Sequence, residues 1–174
     1  MNTMKRIILT AAIALMGLLT ASAQKYAVVD MEYILKNVPM YESANEQLKQ
    51  VSQKWQKEVE EKNNEAKVLY KNYQTEAVFY SDDMKTKKEN EIVAKEKEAR
   101  ELKTKYFGPQ GELFKKRESL MKPIQDEVYA AVKDVAEKEG YVMIFDKASA
   151  QNLIYYSSKV DVSDKVLTKL GYSK

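Results

Sequence analysis

Residues 41–80 read YESANEQLKQVSQKWQKEVEEKNNEAKVLYKNYQTEAVFY, and this stretch decides the fold. Neither Gly nor Pro occurs between Pro39 and Gly108. Lys, Glu, Gln, Asn and Ala dominate, with an apolar residue at about every third or fourth position, which is the composition and period of an exposed helix. At roughly 1.5 Å per residue the stretch reaches ~60 Å, about twice the diameter of a small domain, so the helix must project. A reversal is expected at Phe79-Tyr80-Ser81-Asp82-Asp83-Met84. Ser81 is a good N-cap there, and Asp82 and Asp83 then occupy the first turn at the positive end of the next helix.

Each limb carries a narrow apolar seam. Leu48, Val51, Trp55, Val59, Ala66, Leu69 and Tyr73 keep helical steps before the reversal, and Ile92, Ala99, Tyr106, Leu113 and Leu120 repeat every seven residues after it. Two such seams predict an antiparallel coiled-coil hairpin, an arm over residues 41–139 with its tip near residues 80–84. Lys62 and Glu76 interrupt the first seam, so one solvated helix with scattered apolar residues is the alternative. The return limb is broken at residues 108–111, where Gly108, Pro109 and Gly111 mark a kink or a hinge. Pro123 removes one further helical hydrogen bond. After it, Ile124, Val128, Ala131, Val132 and Val135 form a stripe that predicts packing of Ile124 to Lys138 on a body.

That body must come from the two ends, residues 24–40 and 140–174. Tyr26-Ala27-Val28-Val29-Asp30 reads as a strand, after which Asp30 caps a brief helix from Met31 to Lys36 that Val38-Pro39 stops. After Gly140, Tyr141-Val142-Met143-Ile144-Phe145-Asp146 and Leu153-Ile154-Tyr155-Tyr156-Ser157 read as strands across a polar turn and are expected to pair as a hairpin. Asp161 or Ser163 caps a last helix through Val166, Leu167 and Leu170, ended by Gly171. The fold class is therefore α+β, mostly α, with a helical arm projecting from a small β-body. About 50 residues lie near the lower limit for a self-sufficient core. Strands are accordingly expected to be shared between chains, with Val28, Ile144, Phe145, Leu153, Ile154 and Tyr155 as the oligomerisation core.

Lys5-Arg6, the apolar run Ile7 to Leu19 and Ala21-Ser22-Ala23 have the layout of a secretory signal peptide over residues 1–23, with cleavage expected before Gln24. The 13-residue run is shorter than the ~20 residues a membrane span needs, and no second candidate follows, so no integral span is expected. Without Cys there is no lipid-anchor cysteine and no disulfide framework, which predicts a soluble protein of an exported compartment. The leader holds two basic residues, so 27 Lys and Arg then face 26 Asp and Glu. That balance argues against a nucleic-acid partner.

Catalysis finds no support: the chain has no His or Cys, no nucleophile motif and no Gly-rich phosphate loop. Glu58, Glu60 and Glu61 read as solvated helix charges, and Asp82 and Asp83 are explained by capping, so no metal and no cofactor are expected. What stands out is the aromatic load at the far end of the arm, Tyr70, Tyr73, Phe79 and Tyr80 with Met84. Amphipathic tyrosines and a flexible Met suit adaptable contacts with a client chain, or else they zip the tip of the hairpin.

With these elements in order the chain resembles the Skp or OmpH-like periplasmic chaperones. The resemblance rests on Ala27-Val28-Val29-Asp30-Met31, the charged arm, Gly140-Tyr141-Val142-Met143-Ile144-Phe145-Asp146, Tyr155-Tyr156-Ser157-Ser158 and Asp161-Val162-Ser163-Asp164-Lys165-Val166-Leu167. It implies a homotrimer whose strands form one small barrel and whose arms enclose a cavity. It also implies ATP-independent holding of unfolded outer-membrane β-barrel proteins in the periplasm. One departure is visible: residues 41–107 carry 14 acidic and 14 basic side chains, whereas the best-known members have strongly basic arms. This argues against electrostatic capture and lipopolysaccharide binding. The rival reading is an exported coiled-coil spacer or scaffold of the cell envelope that binds no unfolded client.

Overall fold

A computed structural model describes residues 24–172, and the predicted leader of residues 1–23 lies outside them. Strand β1 (Lys25–Val29) leads into helix α1 (Met31–Lys36). Asp30 caps α1 as expected, its Oδ1 accepting from the Tyr33 N–H at 2.8 Å. Pro39 both ends that turn and starts the next helix: α2 runs Pro39–Glu76 with Pro at its first position, where the missing N–H has no helical partner to lose. Its 38 residues span about 57 Å. A 3₁₀ turn, Ala77–Phe79, reverses the chain into α3 (Asp82–Phe107), whose N-cap Ser81 accepts from the Met84 N–H, with Asp82 and Asp83 in the first turn.

The two limbs do form a hairpin. Val59 and Ala66 on α2, and Ile92 and Ala99 on α3, are the buried seam residues along its length. The charged interruption at Lys62 is absorbed by ion pairing, since Glu65 receives Lys62 at 2.8 Å and Lys95 from the opposite helix at 3.7 Å. Pairs this exposed contribute little to stability, because water and salt screen them. The small buried side chains in between set the approach of the helices.

Helix α4 (Glu112–Glu139) follows the break and passes through Pro123 without interruption. It ends at Gly140, whose φ of 73° is left-handed and which has no Cβ to strain there. The predicted stripe faces inward: Ile124, Val128, Ala131 and Val135 are buried, with Val132 half-buried beside them. They join Ala27, Val29, Ile34, Val38, Val162, Val166 and Leu167 in one core, which also takes in Ala44 and Leu48 from the root of α2. The body is thus larger than its two terminal segments, because both roots of the arm complete its core.

The sheet differs from expectation. Strand β2 (Tyr141–Asp146) pairs with β1 in parallel, in the register Ala27 with Ile144 and Val28 with Phe145, so the whole arm is the crossover between the two strands. Leu153 to Ser157 forms no strand and no hairpin with β2. The other edge of β1 is taken instead by Asp161, which bridges Val28, and by the Val162 N–H, which donates to the Val28 carbonyl at 2.9 Å. Ala27, Val28 and Val29 are all buried, which is the mark of a strand covered on both faces and of parallel rather than hairpin pairing. The last helix, α5 (Ser163–Lys169), has Val162 as its N-cap residue, and Asp161 Oδ1 accepts from the Ser163 N–H at 3.0 Å. Gly171 follows its C-terminus with φ of 87°.

Candidate functional site

The far end of the arm is the first candidate. Its five predicted residues separate into two groups. Tyr73 and Tyr80 lie with ring centroids 6.3 Å apart, and their hydroxyls donate to Glu89 and Glu76 respectively. Those carboxylates hold both phenols above their ordinary pKa. The Tyr73 bond crosses from α2 to α3, so this pair zips the tip. Tyr70, Phe79 and Met84 are exposed, Phe79 at 84%. Its neighbour Val78, 80% exposed, was not singled out from the sequence. The signal for it was available: in a 3₁₀ turn between helices, Val78 falls on neither seam. The tip therefore presents two adjacent apolar side chains, one β-branched and one aromatic, held up by a tyrosine–glutamate clasp beneath.

Nearer the body, Trp55 stacks on Tyr106 with centroids 4.7 Å apart and planes 5° from parallel. The Tyr106 hydroxyl donates to Glu58 Oε2 at 2.6 Å. Glu58 is therefore part of a cross-helix contact and not the solvated charge expected, while Glu60 and Glu61 are exposed as predicted. This contact pins the two limbs just before the break. Within the break Gly111 N–H donates to the Gly108 carbonyl at 2.9 Å. Neither glycine has positive φ. Gly111 is needed for close approach, since a Cβ there would lie 2.8 Å from the carbonyl oxygens of Lys105 and Tyr106.

The second candidate is the outer face of the body. Of the residues predicted for oligomerisation, Val28 is only 4% exposed and is covered by its own chain. Ile144 packs half-buried on the core, and Leu153 is half-buried. Phe145 is exposed and shares the sheet face turned away from the core with Met143 and Tyr26, both exposed as well. Ile154 at 99% and Tyr155 at 82% are bare.

Behind this face lies a polar network the sequence did not disclose. Lys147 Nζ contacts Asp161 Oδ2 at 2.8 Å, Tyr156 Oη at 3.1 Å and Asp30 Oδ2 at 3.5 Å. The Asp161 and Tyr156 oxygens hold its pKa well above the ordinary lysine value. Burial pushes the Asp161 carboxyl up, but bonds from Lys147 and Ser163 outweigh it and leave it below its usual range. Burial likewise pushes the Asp146 carboxyl up, but bonds from Ser149 and from the Met31 and Ala148 N–H groups outweigh it and leave it below its usual range. An acidic residue closing each of three apolar segments, at Asp30, Asp146 and Asp161, was the available sign. Among the described residues no group of three or more acidic, His or Cys side chains could hold a metal ion, and no helix is long and apolar enough to cross a membrane.

A long charged hairpin inserted between two parallel strands of a small body, with apolar side chains bare at both ends, defines an arm-and-body protein. The sequence model of the family described as outer membrane protein (OmpH-like) matches residues 25–170, and this chain belongs to that family. An uncharacterized protein of Aquifex aeolicus (strain VF5) is 28% identical over 145 residues, covering 83% of this chain and 85% of its own. The crystal structure of a "putative outer membrane chaperone (OmpH-like)" from Caulobacter crescentus CB15 superposes with a TM-score of 0.67 over 86% of this chain and 85% of that one. At 11% identity that likeness shows the shared fold.

Proposed function

We propose that this protein is an ATP-independent holdase of the periplasm, delivered there by the leader at residues 1–23, which keeps unfolded outer-membrane β-barrel proteins from aggregating. The observation that carries the reading is the arm tip. A hairpin about 57 Å long costs many ordered residues and encloses no catalytic group, yet it ends in bare Val78 and Phe79. Apolar contacts of that kind recognise unfolded chains without sequence selectivity. Family membership supports the same reading.

The working form is a homotrimer whose arms surround the client. A two-stranded sheet is marginal by itself, and the bare side chains of Tyr26, Met143, Phe145, Ile154 and Tyr155 form an apolar face suited to a second copy. Ile144 packs on the core from the opposite side of the sheet, Leu153 is half-buried, and Val28 is already covered by its own chain. No step of this function is catalytic.

The test is dilution of a denatured outer-membrane β-barrel protein into buffer with and without the trimer, without nucleotide, followed by light scattering. Suppression at about one trimer per client is the expected result. A client that aggregates at its unassisted rate would establish the envelope-spacer alternative instead.

A further inference from the structure

The segment from Leu153 to Tyr156 is in neither helix nor strand, is exposed from Ile154 to Tyr156 and is rich in strand-forming side chains, yet it has no partner strand among the described residues. Ile154, Tyr155 and Tyr156 make no backbone hydrogen bond to the rest of the described chain; the nearest are Leu153 N–H to the Ala150 carbonyl before them and Val160 N–H to the Ser157 carbonyl after them. Six residues of tight turn precede the segment and a 3₁₀ turn, Ser158–Val160, follows it. A loop built this way has many accessible conformations, and fixing it on association costs conformational entropy.

One polar side-chain contact ties it to the rest of the described chain. Lys147 donates to the Tyr156 hydroxyl at 3.1 Å and lies 5.1 Å from the centre of its ring, so the same ammonium serves as hydrogen-bond donor and as cation over the aromatic face. Lys147 is itself fixed. Its backbone N–H donates to the Val29 carbonyl at 2.8 Å, continuing the β1–β2 ladder, and its ammonium is anchored by Asp161 and Asp30. Asp161 is anchored in turn by the Ser163 hydroxyl at 2.6 Å, which accepts from the Asp30 N–H at 2.8 Å. The lysine therefore ties the loose segment to the end of each strand and to the start of α5.

We infer that Lys147 is the positioning residue for assembly: through Tyr156 it fixes the place at which Ile154 and Tyr155 are presented to a second copy of this chain. This rests on the assembly reading above. The occupant is a second copy because the complement is in the same chain. Among the described residues the outer edge of β2 has no strand beside it, the sheet being two strands with β2 at one side, and Met143 and Phe145 flank it with apolar surface. A β-rich segment lacking a partner and an edge lacking a partner satisfy each other between copies. Pre-ordering the segment lowers the entropy lost on association.

The test compares wild type with Lys147→Met, Lys147→Arg and Tyr156→Ala by sedimentation velocity over a concentration series, with limited proteolysis of the dissociated chains and thermal unfolding beside it. Lys147→Met and Tyr156→Ala are expected to raise the assembly midpoint at least tenfold and to open residues 148–157 to cleavage, with helical content unchanged. Arg keeps the charge and the aromatic contact, so Lys147→Arg is expected to restore most of the assembly. A wild-type chain that stays monomeric throughout sinks the assembly reading and this inference with it. A wild-type trimer whose Lys147→Met and Tyr156→Ala variants assemble equally well overturns only the role of Lys147. Loss of helix in Lys147→Met together with normal assembly of Tyr156→Ala makes the lysine a purely structural group, and that also overturns the inference.

Discussion

Replacing both Val78 and Phe79 with Ser separates binding from folding at the arm tip. Both side chains are at least four-fifths exposed, so the substitution removes almost no burial from the folded arm, and its effect on stability falls within about 0.5 kcal/mol. Binding is a different matter. Full burial of a Val or Phe side chain is worth about 1.5–3 kcal/mol, and a mobile client covers only part of each. A loss of about 2 kcal/mol per arm corresponds to roughly thirty-fold in Kd, at about 1.4 kcal/mol for each factor of ten. The matched control is Tyr73→Phe with Tyr80→Phe, which keeps the rings and removes the bonds to Glu89 and Glu76. That control is expected to loosen the tip and to leave affinity within a few-fold. Fluorescence anisotropy of a labelled, unfolded outer-membrane protein reads the affinity, and far-ultraviolet circular dichroism reads the helix. If the Ser variant binds within three-fold of wild type while assembly is intact, the tip is not the client contact. If the tyrosine control loses binding with its helix intact, the clasp and not the bare pair is the site.

Val128 is 1% exposed in the body core, so Val128→Ala is expected to cost about 2 kcal/mol and to lower the thermal midpoint by several degrees, whereas Tyr129→Ala on the exposed side of the same helix leaves it unchanged. Gly111→Ala places a Cβ against two backbone carbonyls at 2.8 Å and is expected to cost about 1–3 kcal/mol and to alter the fluorescence of the single Trp55, which lies against Tyr106 beside the break. Asp146 and Asp161 both have folded-state pKa values below the ordinary 3.8, so the stability they contribute is present above that value and is lost as pH falls through their lower folded values. Acid unfolding monitored by circular dichroism is expected to set in below about pH 4, and Asp161→Asn to flatten that dependence. The equal numbers of acidic and basic side chains over residues 41–107 predict client affinity nearly independent of salt between low and moderate ionic strength, where the Debye length is about 8 Å at 0.15 M, and no DNA binding at physiological salt. A steep fall in affinity with added salt in the same anisotropy titration contradicts that.

What the sequence by itself determined is everything that depends on local chemistry and period. The arm, its reversal at Ser81, the caps at Asp30 and Gly171, and the inward stripe from Ile124 to Val135 are each written in residues a few positions apart, because a helix brings such residues together wherever it lies. The apolar seams on both limbs were legible for the same reason. The pairing of strands was not. β1 and β2 are separated by the whole arm, and nearness in sequence pointed instead to a hairpin of β2 with Leu153 to Ser157; only the fold put Val28 between Phe145 and Asp161. That placement decided which predicted contacts are available, turning Val28 into core and leaving Phe145, Ile154 and Tyr155 bare. At the arm tip the sequence grouped five residues by type, and geometry divided them, since a hydroxyl reaches a carboxylate on the facing helix at Tyr73 and no such group exists on Phe79. The Lys147 network required both ends of the chain to meet. Its partners Asp30 and Asp161 stand more than a hundred positions apart, and a charge pattern at that separation carries no signal until packing excludes water and forces each buried polar atom to find its neighbour.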